Sequence, residues 1–380
     1  MALHRAQVGA PDAPTRVWVR DAFVGHAPHA RIDRWPRERP WETTQVTHAP
    51  HDPLDAYCDA PLLRAVVDVV QQCRVQRAAC SHWWTERASI ELAPLPHVDL
   101  ALAVMDVERN STDAHRSTPS HALVHTLWTN AGTVPRLLHG TTCAYELPPR
   151  TACLLTDLLP PTSAPHALPV GMADVHRFVE RVGGVDVLLL DPPWPNQSVA
   201  RAHRGARHDV RAARHAYETL PDLYDIWRLR PTLEPLLAHR PLVAVWITNY
   251  PKVRHFVRNK FLPQLGLRYL GAWAWLKLAQ DGTPLYTLAH PRRRRPYELL
   301  VLAARDARDV PSQVIASVAL AHSQKPYVVD LLVDMAGKST DTAVVVELFA
   351  RHTPRALGAH GWHVSVGNEA LRFNACAGPA

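Results

Sequence analysis

Three near-continuous apolar runs constrain the fold of this chain more than any other feature. They are VDVLLL (Val185–Leu190), LVAVWIT (Leu242–Thr248) and AVVVELFAR (Ala343–Arg351). A strand with one solvated face alternates apolar and polar residues, whereas a strand covered on both faces does not. These runs therefore predict strands buried inside a mostly parallel sheet. TACLLTDL, ending at Asp157, RYLGAWAWLKL (Arg268–Leu278) and YELLVLAAR (Tyr297–Arg305) read as further strands. Helical spacing runs from Lys252 to about Leu262, and KPYVVDLLVDM (Lys325–Met335) reads as a helix with Pro326 near its first turn. Strands alternating with helices from about residue 150 define the α/β class, with helices on both faces of the sheet.

The chain has 380 residues, 47% of them hydrophobic, enough to bury a sizeable core and to exclude a disordered chain. Its formal charge of +7 fits an acidic partner, with nucleic acid first. The excess is almost all arginine, and every lysine lies beyond residue 250, so biased base composition explains the same surplus. The six cysteines form no Cys-x-x-Cys and none sits at zinc-ligand spacing beside a histidine. They read as reduced thiols of an intracellular protein, and no metal site is expected. The first residues lack the apolar core of a signal peptide, and no run has the apolar length of a membrane span.

Residues 1–50 are polar and rich in Pro, Arg and His, and read as a loosely ordered segment. LLRAVVDVVQQCRV (Leu62–Val75) has helical spacing, and SIELAPLPHVDLALAVMDV (Ser89–Val107) suggests short strands broken by proline. Residues 51–140 are expected to form a small α+β accessory domain, and residues 141–380 the main α/β domain.

The strand VDVLLL ends on Asp191-Pro192-Pro193-Trp194. In open α/β sheets, ligands bind beyond the carboxyl ends of strands. Two prolines fix their φ angles and hold the turn rigid, and their carbonyls remain acceptors. An acid, a carbonyl and a flat aromatic suit a planar ligand with an exocyclic amine, such as an adenine extruded from a strand. The amine would donate to Asp191 and to the Pro192 carbonyl, with its ring on Trp194. The bland alternative is a surface turn with an incidental tryptophan.

DPPW after an apolar strand resembles the signature of the N(6)-adenine methyltransferase family named for the 70-kilodalton subunit of the messenger-RNA enzyme. DPPWPNQSVAR, AWAWLKLAQDGTPLYTLAHPRRRRPYELLVL (Ala272–Leu302), HSQKP (His322–Pro326), ELFAR (Glu347–Arg351) and the closing Gly361-Trp362 and Gly367-Asn368-Glu369 are similar to the branch called methyltransferase-like protein four. The resemblance covers about residues 150 to 375. It implies a Rossmann-like methyltransferase sheet in permuted order, because the substrate turn precedes the cofactor strand. Pro195 stands where branch members often carry a polar or acidic residue, and the segment between Arg351 and Gly361 is longer than the branch pattern.

The resemblance also implies roles. Asp191, Pro192, Pro193 and Trp194 form the catalytic turn. Asp157, Asp191, Lys325, Glu347, Phe349, Arg351, Asn368 and Glu369 line S-adenosylmethionine, with Arg351 near its ribose and Asn368 and Glu369 at its adenine. Asn196, Ser198, Arg201, Tyr297 and the run Arg292, Arg293, Arg294 and Arg295 contact nucleic acid, with Arg204 as a further candidate. The arginine run also fits an ordinary solvated loop. The implied reaction methylates the 6-amino group of adenine, with adenosine in small nuclear RNA favoured and DNA adenine the rival. A non-catalytic nucleic-acid-binding subunit and a small-molecule amine methyltransferase are the other readings. A nuclear, monomeric enzyme is expected.

Overall fold

The structure, a computed structural model, describes residues 4–8, 15–19, 106–107, 121–139, 144–195, 219–278, 284–285, 295–311, 313–318 and 324–375. Along the chain the strands are β1 His4–Val8, β2 Thr15–Val19, β3 Asp106–Val107, β4 His121–Ala122, β5 Leu127–Asn130, β6 Arg136–His139, β7 Ala144–Leu147, β8 Thr151–Leu154, β9 Val187–Leu190, β10 Leu242–Ile247, β11 Arg268–Leu278, β12 Tyr297–Ala304, β13 Gln313–Val318, β14 Val344–Leu348 and β15 Trp362–Val366. The helices are α1 Met172–Arg181, α2 Arg230–Ala238, α3 starting at Pro251–Phe256, and α4 Val329–Met335. The architecture is a Rossmann-like α/β fold, and the chain divides into two compact units.

One unit holds the described residues of Leu92–Val243 and Val329–Ala380. Its sheet order is β9-β14-β15-β8-β5. β14 lies parallel between β9 and β15, β15 runs parallel to β8, and β5 closes the edge antiparallel. Every residue of β8, β9 and β15 is buried; β9 is accordingly all apolar, whereas β15 alternates in sequence and buries His363 and Ser365 all the same. Asp186 aligns the starts of two strands: its carboxylate accepts the Val344 N–H at 3.0 Å and pairs with Lys338 at 2.8 Å. Phe178 of α1 meets the Trp362 ring edge-on at 4.8 Å. His176 of α1 reaches the Thr232 carbonyl of α2 at 3.1 Å. Burial, the larger effect, and the nearby His239 lower the His176 pKa against the opposing pull of that hydrogen bond and Glu180.

The other unit comprises β1, β2 and the described residues of Ala244–Val328, with sheet order β1-β2-β13-β11-β12-β10. β13 is parallel to both β11 and β2, while β12 is antiparallel to β11. Trp246 and Trp275 pack edge to face at 6.2 Å, and the Trp275 indole N–H donates to Ser317 at 2.8 Å. α3 continues through a π turn, Val257–Phe261, into Leu262–Gln264. The widened turn precedes Pro263, whose ring excludes an ordinary i→i−4 bond.

Several elements differ from the sequence expectations. The helix expected from Lys325 begins at Val329, so Pro326 lies ahead of it. A residue preceding proline is disfavoured in helical geometry, which keeps Lys325 extended. The strand expected to reach Asp157 stops at Leu154. Residues 1–50, read as loosely ordered, contain the antiparallel pair β1 and β2. TRVWV is a short β-branched run that the polar average of its surroundings hides. The helix expected over Leu62–Val75 lies outside the described residues, as does most of Ser89–Val107.

Candidate active site

β9 carries only apolar residues into the sheet, and the chain emerges at Asp191. The Asp191 N–H donates to the Leu348 carbonyl at 3.2 Å, extending the parallel ladder whose last pair is Leu190 and Leu348. Asp191 and the end of β14 therefore share one sheet end, where a doubly wound fold takes its ligand. Asp191 is half-buried.

The two prolines behave differently from the sequence expectation. The Pro192 carbonyl already accepts the Trp194 N–H at 2.8 Å, and the Pro193 carbonyl accepts the Leu220 N–H at 2.8 Å. Each keeps one lone pair, because a carbonyl oxygen has two. The turn is thus fixed by hydrogen bonds as well as by proline geometry. Trp194 is 3% exposed and belongs to the core. A base reaches its ring only when the groups around it give way.

β14 presents Glu347 at the same end, a half-buried carboxylate in a strand that is otherwise apolar. Its Oε2 lies 3.3 Å from Nε2 of His363, a residue only 1% exposed, on the neighbouring strand β15. His363 Nδ1 has no hydrogen-bond partner among the described residues. Phe349 then turns the chain with φ at +59°, and the Ala350 N–H donates to the Val366 carbonyl at 3.1 Å. Gly367 is required there: a Cβ would sit 3.1 Å from the Ala350 nitrogen and oxygen. Arg351 pairs with Glu369 at 2.6 Å, and Arg372 binds the other oxygen of the same carboxylate. Asn368 is exposed. Asp157 is exposed too, and its side chain accepts the Leu159 N–H at 2.9 Å, closing its own turn.

In the other unit Lys325 lies 3.3 Å from Glu298, which also binds Lys277. Burial pushes the Glu298 carboxyl up, but the two ammonium groups outweigh it and hold its pKa down at about 2. Lys277 stands over the Trp275 ring at 4.7 Å and Lys325 over Trp246 at 5.7 Å. Two cations, one carboxylate and two indoles form a fixed cluster at the end of the sheet where β12 begins. The Asn249 side chain donates to the Tyr297 carbonyl at that end. The Tyr297 ring is 4% exposed, so it is core rather than a contact surface. Arg295 is half-buried.

Asn196, Ser198, Arg201, Arg204, Arg292, Arg293 and Arg294 lie outside the described residues. Within each unit the structure gathers what the motifs name: Asp191, Glu347, Phe349, Arg351 and Glu369 in one, Lys325 in the other. Sequence reading missed Glu298, Lys277, His363 and Arg372. The first two carried a signal, since lone opposite charges inside apolar strands must find partners. His363 carried none.

The carboxylate of Glu347 at a strand end suits the hydroxyls of a ribose, and the Arg351–Glu369 pair offers both donors and acceptors beside it. The residues present therefore fit the ribose of a nucleoside cofactor.

Residues 185–369 match the family model described as MT-A70. The chain is 31% identical over 229 residues to N6-methyladenosine RNA methyltransferase MTA1 of Pyricularia oryzae, covering 56% of this chain and 54% of that protein. It is 26% identical over 244 residues to N(6)-adenine-specific methyltransferase METTL4 of Homo sapiens, covering 60% and 43%. It is 31% identical over 172 residues to the DNA N6-methyl methyltransferase of Caenorhabditis elegans, covering 44% and 42%. The chain spans about half the length of the curated relatives it matches. A solved M1.HpyAVI–SAM complex is similar at 14% identity and a TM-score of 0.33, over 53% of this chain and 92% of that one.

Proposed function

We propose, from the match of residues 185–369 to the MT-A70 family model, that this chain is an S-adenosylmethionine-dependent enzyme that methylates the 6-amino group of adenine in nucleic acid. Adenosine in RNA, in particular small nuclear RNA, is the first substrate, and DNA adenine is the alternative. Relatives named for RNA and for DNA both match, so the polymer is the open choice. The observation that carries the reading is the position of Asp191. A carboxylate ends a buried strand, its backbone tied to the neighbouring strand that presents Glu347.

When bound, S-adenosylmethionine supplies an electrophilic methyl group on a sulfonium. The chain's residues do the rest. Glu347 and Arg351 would hold the ribose end, Phe349, Asn368 and Glu369 the adenine end, and Lys325 the carboxylate. Asp157 is the least supported of this set, because its carboxylate is used in its own turn. Asp191 accepts one hydrogen of the target amine and localises a lone pair that is otherwise delocalised into the ring. It also stabilises the positive charge that develops on that nitrogen. The remaining lone pair on Pro192 is the second acceptor. Fixing both acceptors before reaction removes an orientation cost. The arginines from 292 to 295 and Arg201, with Asn196 and Ser198, would hold the strand. A nuclear location and a monomeric state complete the proposal.

The test is methyl transfer from labelled S-adenosylmethionine to matched RNA and single-stranded DNA oligonucleotides, by the wild type and by Asp191→Ala. Label on RNA, lost in the variant, supports the first reading. Label on DNA alone moves the substrate to DNA with the same chemistry. No label on either, with the cofactor bound, removes the catalytic reading.

A further inference from the structure

Between Glu234 and Asp281 the sequence holds no Asp or Glu, yet it carries Lys252, Arg254, Arg258, Lys260 and Arg268. The structure sorts these residues. α3 buries Val253, Phe256, Val257, Phe261 and Leu262 against its own unit. Lys252, His255, Arg258, Asn259 and Lys260 are exposed on the remaining face. The helix itself contains no Asp or Glu.

Resting on the function proposed above, we propose that this face of α3 binds the phosphate backbone of the substrate strand, through Lys252, Arg258 and Lys260. Three observations carry it beyond an ordinary solvated helix. The Arg258 guanidinium carbon lies over the Tyr269 ring, 4.4 Å from its centroid, which holds the group in place and lowers the entropy lost on meeting a phosphate. His255 and Asn259 join side chains at 3.0 Å, placing further hydrogen-bonding groups between the cations. The helix also starts at the end of the sheet where the Asn249 side chain binds the Tyr297 carbonyl, two residues beyond Arg295. The row of cations thus begins where the arginine run ends. From Lys252 to Lys260 the helix rises about 12 Å, the reach of about three phosphates. Phosphate contacts of this kind fix position and carry no sequence information.

The experiment measures binding of labelled oligouridine and oligothymidine across a salt series, for the wild type and for Lys252→Gln/Arg258→Gln/Lys260→Gln. Loss of three contacts lowers the slope of log affinity against log salt by about 2, at about 0.7 per single-stranded phosphate. Arg177→Gln/Arg230→Gln/Lys338→Gln removes the same charge elsewhere and leaves the slope unchanged. Thermal melting checks folding, and the three single variants, each lowering the slope by about 0.7, replace the triple one should it unfold. Equal slopes in wild type and α3 variant overturn the inference while leaving the proposed function standing. A wild type that binds neither polymer overturns both. Displacement by polyglutamate as effective as by unlabelled RNA overturns it in favour of an acidic protein partner.

Discussion

The Arg351 guanidinium lies 2.6 Å from the Glu369 carboxylate, and Arg372 occupies the other oxygen of that group. The resemblance assigns Arg351 to the ribose and Glu369 to the adenine of one cofactor, and the fold joins the two side chains directly. They are 12% and 22% exposed, so each charge needs a partner there, and Arg372 gives Glu369 a second. Each therefore presents its remaining hydrogen-bonding capacity in an orientation that its partner sets.

This pairing predicts non-additive effects on cofactor affinity. Glu369→Gln and Arg351→Ala should each weaken S-adenosylmethionine binding by roughly tenfold, about 1.4 kcal/mol. The double variant should lose less than the sum, with a coupling of about 0.5–3 kcal/mol by titration calorimetry. Strictly additive losses would show that the two residues act separately.

Asp191→Asn should lower methyl transfer by about 10²–10³-fold. The backbone N–H bond to the Leu348 carbonyl keeps the residue in place, and the melting temperature of the variant is measured beside its activity. A comparable loss of stability would mean the carboxylate is structural.

Trp194→Ala should cost about 3–5 kcal/mol of stability, since the ring is buried. Trp194→Phe should recover most of it. Chemical denaturation distinguishes this from a purely surface stacking role, in which activity falls and the unfolding midpoint does not move.

Glu298 predicts a pH dependence. Its carboxyl titrates at about 2 in the folded chain against an ordinary 4.5. A depressed carboxylate contributes stability that is complete above the ordinary value and is lost as pH falls through 4.5 towards 2. The loss is at most about 3 kcal/mol. Unfolding free energies measured across that acid range should fall for the wild type and change less for Glu298→Gln. Parallel curves would refute the assignment to Glu298.

Much of this was legible from the chain alone. The apolar runs of β9, β10 and β14 are buried strands because a residue covered on both faces has no reason to alternate, and a period can be read without coordinates. DPPW declared a rigid acidic strand end for the same local reason, as proline and aspartate act within their own turn. Tertiary structure alone decided the rest. It sank the Trp194 ring in the core, occupied one lone pair on each proline carbonyl, and paired Arg351 with Glu369, Lys325 with Glu298 and His363 with Glu347. Those outcomes depend on which residues meet across strands far apart in sequence. A charge or a ring carries its chemistry in the sequence, but its partner and its exposure exist only once the chain has folded.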